Sequence, residues 1–322
     1  MRLYKKAAVC LLTAAMAISM LTACGGGGTG GNGGNTLPNN PDQIVLPDPS
    51  EGGEGGGEGG GEGTETKPTK TPIVDVHSSK LAEFNKKYAG ATEFYLEGQS
   101  VEYDEDGSVK QSYDGYVAAK GNNVYTKTVL SGKNQKQQLI EELMLKEFDY
   151  NNNYLLLRGS KVAVRTSSYK SQSDDNISLG TLITDKLPSQ MWSTKVKVGP
   201  TEYYAEIYNN NNGRTEHTIC FTADGKPVYQ FVRELGITKL KIVTLYKTIQ
   251  AGSGTSKGLC EIPAGFKKYS VDFRTNTITD ANGNVFTIET NDEGDVTSVK
   301  DNTGKEVTDD FKWVYDLFNM YE

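Results

Sequence analysis

From Glu93 to Pro263 the chain is a train of short segments in which apolar and polar residues alternate. EFYLEG, NVYTKTVL, YLLLRGSKVAVR, TKVKVG, EYYAEIY, TICF, PVYQFV, LKIVTLYKTI and LCEIP follow one another with turn residues between them. A period of two puts successive side chains on opposite sides of a pleated strand. Tyr, Val, Thr and Ile, which dominate here, are the residues such strands favour. Asp106-Gly107, Asn212-Gly213 and Asp224-Gly225 supply hairpin turns. The pattern calls for an antiparallel sheet, and little else accommodates it.

One hairpin can be set residue by residue. With Gly199-Pro200 as its turn, Val198 faces Thr201, Lys197 faces Glu202 and Val196 faces Tyr203. Lys195, Lys197, Glu202, Tyr204 and Glu206 then share a solvated face carrying opposite-charge pairs. Val196, Val198, Tyr203, Ala205 and Ile207 share a buried one. A sheet with an apolar face must cover it. Ser78–Tyr88 is expected to be a helix, with Leu81, Phe84 and Tyr88 on one side. Leu179–Trp192 interrupts the strands and is expected to hold a short helix before or across Pro188. Beyond residue 269, Gly283, Gly294 and Gly304 mark turns ten or eleven residues apart, the spacing of a small meander. The final DDFKWVYDLFNMYE places Phe311, Val314, Tyr315, Phe318 and Tyr321 on one helical face, capped by Thr308 or Asp309.

The amino terminus is of a different kind. Met1–Lys6 is basic and Ala7–Leu21 is apolar and uncharged. Fifteen helical residues span roughly 22 Å, short of a hydrocarbon core of about 30 Å, so this is a signal sequence rather than a membrane span. Leu21-Thr22-Ala23-Cys24 resembles the lipobox of bacterial lipoproteins. That resemblance implies that residues 1–23 are removed and that a diacylglycerol is attached to the Cys24 thiol. It also implies that the protein is held at the outer face of the cytoplasmic membrane. Residues 24–72, with EGGEGGGEGGGEG and no aromatic residue, read as a disordered Gly/Glu-rich stem.

Charge is uneven: +3 over residues 1–23, −5 over 24–72 and −5 over 73–322. A mildly acidic body is not that of a nucleic-acid binder. Its two cysteines, Cys220 and Cys260, either form a disulfide, permitted outside the cytoplasm, or pack as two buried thiols.

Chemistry is sparse. Gly254-Thr255-Ser256-Lys257-Gly258 matches Gly-x-Ser-x-Gly, but both flanks read as strands and no histidine follows His217, so it is a polar loop. The Gly-x-Gly-x-x-Gly match from Gly28 to Gly33 has no strand before it and no helix after it. His77 and His217 cannot build a multi-histidine metal site, and His217 beside Glu216 reads as a solvated strand-end pair. Asp280, Asn282 and Asn284 offer oxygen donors without the twelve-residue calcium loop. The remaining acids sit at turn tips or alternate outward. The expectation is no catalytic residue, no metal and no cofactor: not an enzyme.

From about Leu81 to Tyr269 the order of the opening helix, YYAEIY (Tyr203–Tyr208), CFTADGKPVYQFV (Cys220–Val232) and CEIPAGFKKY (Cys260–Tyr269) resembles the LolA-like family of bacterial envelope proteins. The resemblance implies a mainly β fold: a curved antiparallel half-barrel whose concave apolar side is covered by one or two helices and holds acyl chains. It assigns residues 73–269 to the half-barrel and leaves 270–322 as a C-terminal meander and helix. Candidate ligand-lining residues, by alternation, are Leu96, Val196, Val198, Tyr203, Ile207, Ile219, Phe221, Ile242 and Ile262. The family's founding carrier is soluble and shuttles between two membranes, whereas this chain is expected to be anchored. The expected function is an anchored extracytoplasmic lipoprotein that binds a lipid or another hydrophobic molecule. The alternative is a non-enzymatic envelope module, with an envelope protein as partner and a hollow filled by side chains.

Overall fold

The computed structural model describes residue 37 and residues 43–49, 68–132, 137–170, 178–183, 187–210 and 213–320. In chain order the strands are β1 (Ile44–Val45), β2 (Thr71–Pro72), β3 (Glu93–Tyr103), β4 (Val109–Lys120), β5 (Asn123–Gly132), β6 (Gln138–Glu147), β7 (Tyr150–Leu157) and β8 (Val162–Lys170). They continue as β9 (Met191–Val198), β10 (Thr201–Asn209), β11 (Thr215–Phe221), β12 (Pro227–Glu234), β13 (Leu240–Ala251), β14 (Lys267–Asp272), β15 (Thr277–Asp280), β16 (Val285–Thr290) and β17 (Val296–Lys300). Among the described residues three α-helices accompany them: α1 (Lys80–Tyr88), α2 (Leu179–Leu182) and α3 (Trp313–Asn319). The fold is mainly β, a single large curved sheet that stays open.

Neighbours in the sheet run β9-β10-β11-β12-β13-β3-β4-β5-β6-β7-β8-β14-β15-β16-β17. Every pairing is antiparallel except β8 with β14. Both edges are protected. β1 and β2 each add two residues to the outer edge of β9. At the other end the Val307 N–H bonds Val299 O, and the Val299 N–H bonds Thr308 Oγ1, so returning chain covers β17. Unpaired edges invite association, and here the flanking chain occupies them. Gly98 of β3 pairs with Gly115 of β4. A Cβ on Gly115 would lie 2.0 Å from Lys127 O, and one on Gly98 would lie 2.9 Å from Leu245 O. Only glycine permits backbones to approach so closely.

The β9–β10 hairpin has the expected register, with Thr201 opposite Val198, Glu202 opposite Lys197 and Tyr203 opposite Val196. Lys195 and Glu202 form the expected surface pair at 2.6 Å. Further along, the expectation of a wet face is corrected. Glu206 is fully buried because α1 lies across that face. The opening helix begins at Lys80 rather than Ser78, since Ser79 accepts the Ala82 N–H through its hydroxyl and so ends the non-helical lead-in. The interrupting helix is the single turn α2, ahead of Pro188.

Alternation divides the packed residues between two faces, each with two cores. On the helix face, Leu81 and Phe84 of α1 lie with Leu179 of α2 over Phe94, Leu96, Val117, Ile219 and Phe221. On the same face Val314, Leu317 and Phe318 of α3 pack with Leu155, Val164, Val271, Ile278 and Val299. The meander therefore prolongs the main sheet and shares a core with β7 and β8. Trp313 and Leu317 join the buried side of α3, outside the expected stripe, because Thr308–Phe311 is a 3-10 turn that shifts the helical phase. Thr308 ties this turn to β17 instead of capping it. Tyr321 lies outside the described residues.

The opposite face is covered by irregular chain. Leu37, Ile44 and Leu46 pack on Val196, Val198, Ala205, Tyr229 and Phe231. Described parts of the expected stem, residues 43–49 and 68–72, are thus a strap on the sheet. The loop after β13 brings Leu259, Cys260, Ile262 and Phe266 over Tyr95, Tyr125, Leu143 and Tyr154. Cys220 and Cys260 belong to these two separate cores and are free thiols, so no disulfide joins them. Burial pushes both thiols up, Cys260 to about 11.

Candidate functional site

The nine expected lining residues do not share one hollow. Leu96, Ile219 and Phe221 are packed under α1, and Ile242, half-buried, lies on that same face by its pairing with Val232 and Glu102. Val196, Val198 and Tyr203 are on the opposite face under the strap, and Ile207 shares their alternation. Ile262 sits on the loop that covers the neighbouring half of that face. The alternation of the hairpin was legible. What two faces of one strand would meet was not, because it depends on covering segments far away in sequence.

The polar groups singled out in the sequence have structural partners. The Ser256 hydroxyl donates to Glu93 Oε1 at 2.7 Å, and that oxygen also accepts the Gly254 N–H at 2.9 Å. Ser256 thus fastens the loop to β3, and its hydrogen bond is the main cause that lowers the Glu93 carboxyl from its ordinary value. Asp280 Oδ1 accepts the N–H groups of Asn282 and Asn284, while Oδ2 accepts the Asn284 amide. Those oxygens hold their own turn, as Asn291 and Asp301 do at the two succeeding hairpins. Among the described residues no group of three His, Cys, Asp or Glu is placed to hold a metal. Glu216 and His217 are not a solvated pair, since they point to opposite faces of β11. His217 stacks on Tyr208 with ring centroids 5.1 Å apart and lies 3.2 Å from the Gln230 amide and 3.1 Å from the Thr215 hydroxyl. Burial lowers its pKa to about 4.

Of three buried carboxylates, Glu206 and Glu216 hold covering segments in place and Glu141 clamps the β7–β8 turn to β5. Glu206 accepts the N–H groups of Lys80 at 2.7 Å and Leu81 at 2.9 Å, so with Ser79 it satisfies the first turn of α1. Glu216 accepts from Lys70 Nζ at 2.7 Å and Arg233 Nε at 2.7 Å; Arg233 also reaches Pro47 O at 2.8 Å. All three side chains are at most 5% exposed. Glu141 accepts from the Tyr125 hydroxyl at 2.7 Å and from Arg158 Nε at 2.5 Å, with Lys127 at 3.5 Å. Sequence reading missed all three because an outward-alternating acid looks the same whether water or chain covers it.

A fourth carboxylate, on a half-buried residue, is different. Glu142 lies on the helix face of β6, between Met144, which packs towards the α1 core, and Ile140, which packs towards the α3 core. Its cross-strand neighbours are Thr126 and Leu155. Among the described residues it has no hydrogen-bond or ion-pair partner, and burial alone pushes its carboxyl up to about 7. Thr126, Thr128, Leu130, Ile140 and Met144 around it are only half-buried. Near neutral pH this group is about half protonated, able to donate a hydrogen bond as an acid or to attract a cation as a carboxylate. A cleft of about 690 Å³ beside the strap, walled by Thr69, Thr71, Ser193, Thr194 and Lys195, is too polar for an acyl chain.

No family model matches the chain, and no curated protein matches it in sequence.

Proposed function

We propose that the protein is a lipid-anchored, extracytoplasmic binding module without catalytic activity. An apolar molecule lies along the seam between the two helix-face cores, with its polar end at Glu142. The observation that supports this most is the seam itself: half-buried Leu130, Ile140 and Met144 surround a carboxyl that has no partner among the described residues. Ligand sites of this kind are mostly apolar, with few polar groups and a shifted pKa. The ligand class follows from the LolA-like resemblance. The anchor follows from the Leu21–Cys24 motif, which lies outside the described residues. The lack of catalysis is supported by the commitment of Ser256 to Glu93 and by the neutral, stacked His217.

A second reading has its own support. The nine residues first expected to line a hollow are spread over both faces, most of them in packed cores, which favours a sheet that acts as a rigid interaction platform. Native mass spectrometry of the chain from residue 25, followed by solvent extraction, separates the two. Bound lipid that is displaced from Met144→Arg but retained by Ile242→Arg supports the seam. Preparations that stay empty in different hosts and bind no apolar dye leave the platform reading.

A further inference from the structure

The hairpin between β6 and β7 breaks two local rules at once. Glu147 pairs with Tyr150, leaving Phe148 and Asp149 as a two-residue turn. Phe148 has φ +57°, whereas Asp149 is not left-handed. A left-handed first residue in such a turn is glycine's position, and a bulky side chain there is strained. The Phe148 ring is also 97% exposed, so no packing offsets the strain. Lys257 is also left-handed, but its ammonium rests over the Tyr95 ring at 4.0 Å. Exposed aromatics flank the tip: Tyr150 at 50% on one face and Tyr169 at 47% on the other. Strain combined with exposure, and with no structural return, marks a surface selected for contact.

The position of the tip names the partner. Neighbouring strands alternate in direction from β9 through to β7, so the 148–149 turn and the 199–200 turn lie on the same rim of the sheet. The strap enters at that rim, where the Gly199 N–H bonds Gln43 O. Eighteen residues lie between Cys24 and Gln43, and Leu37 among them already packs on the core under the strap; the twelve residues from 25 to 36 can reach at most about 45 Å. The opposite rim, where Ile237 is 47% exposed, stands about 30 Å farther away at 3.3 Å per strand residue. We infer that Phe148, with Tyr150 and Tyr169, inserts into the interfacial region of the bilayer that carries the anchor. This gives the body a second membrane contact and a fixed orientation. Aromatic rings with a polar end prefer that zone. The inference rests on the anchor assigned above.

The test supplies the anchor chemically, so it does not depend on cellular acylation. The chain from residue 24 is coupled through Cys24 to a maleimide lipid in vesicles of equal parts phosphatidylglycerol and phosphatidylethanolamine. Cys220 and Cys260 are buried and spared. The indole emission that F148W adds to the background of Trp192 and Trp313 is expected to be quenched by brominated lipid severalfold more than that added by I237W, whose site is on the far rim. F148G is expected to raise the melting temperature, since glycine relieves the strain and no packing is lost. It should also reduce protection of residues 145–151 from hydrogen exchange by vesicles about tenfold, the effect of withdrawing one partly inserted ring. Equal quenching at both rims, quenching at neither, or a loss of stability in F148G overturns the inference. Unmodified Cys24 in cells, with F148W still quenched in these vesicles, sinks the anchor and leaves the tip's affinity for lipid standing.

Discussion

The two faces of this sheet are covered by different means, and the difference shows where buried charge is tolerated. On the helix face α1, α2 and α3 satisfy their own backbones, so cover comes almost entirely from apolar side chains. The one buried carboxylate used there as a partner, Glu206, sits where a helix exposes its first N–H groups. On the opposite face the strap and the loop after β13 are irregular, and irregular chain brings polar backbone with it. The strap is tied down by side-chain charge, Glu216 with Lys70 and Arg233, and the loop by hydrogen bonds, Ser256 and Gly254 donating to Glu93 and the Asn123 amide to Cys260 O. Among the described residues, His217 and Glu142, whose pKa values burial moves to between about 4 and 7, are both on the helix face.

The largest expected effect breaks the irregular cover. Glu216→Ala leaves Arg233 and Lys70 as uncompensated buried cations, which costs about 3–5 kcal/mol. Urea unfolding should show that loss, together with faster proteolysis within residues 43–72. Replacing the whole cluster by Glu216→Leu with Arg233→Met and Lys70→Met is expected to recover much of it, because the desolvation penalty goes with the charges. A loss under about 1 kcal/mol for Glu216→Ala would mean that apolar contacts alone hold the strap. The helical counterpart is smaller. Glu206→Ala removes two acceptors from the start of α1 at a cost of about 2 kcal/mol. Fraying should be confined to residues 76–84 by hydrogen exchange. Global loosening would show instead that α1 is the keystone of both cores.

This contrast also explains what the sequence could disclose. The strands, the β9–β10 register, α1 and the meander follow from period and turn chemistry, both local. The strap was hidden because Ile44-Val45-Leu46 is a single short apolar triplet in a glycine-rich, acidic stretch whose composition argues for disorder. Only the three-dimensional meeting of Lys70, Glu216, Arg233 and Pro47 shows why it docks. The seam was hidden for a related reason. Glu142 alternates correctly in QLIEELMLKE, and whether its face is wet depends on where α1 and α3 end. Phe148 was legible in principle, since Glu147-Phe148-Asp149-Tyr150 sits between two strand runs with no glycine to turn on.

The smallest expected effects are two opposing pH slopes. His217 titrates near 4 in the folded protein and near 6.5 when exposed. Between those values the unfolded chain binds more protons, so this group makes stability rise with pH up to about 6.5. Glu142 runs the other way, near 7 when folded against 4.5 when exposed. The folded protein binds more protons in that interval, so its contribution falls as pH rises from 4.5 to 7. Each is expected to be on the order of 1–2 kcal/mol after allowance for partial exposure. They overlap from pH 4.5 to 6.5, where the wild-type chain should show little net slope from this pair. Single substitutions separate them. Glu142→Gln should leave stability rising with pH through that window and higher than wild type above pH 7. His217→Gln should leave it falling. A Glu142→Gln profile parallel to wild type would mean that the carboxyl is hydrated or paired in solution, and the helix face would then lose its unpartnered acid.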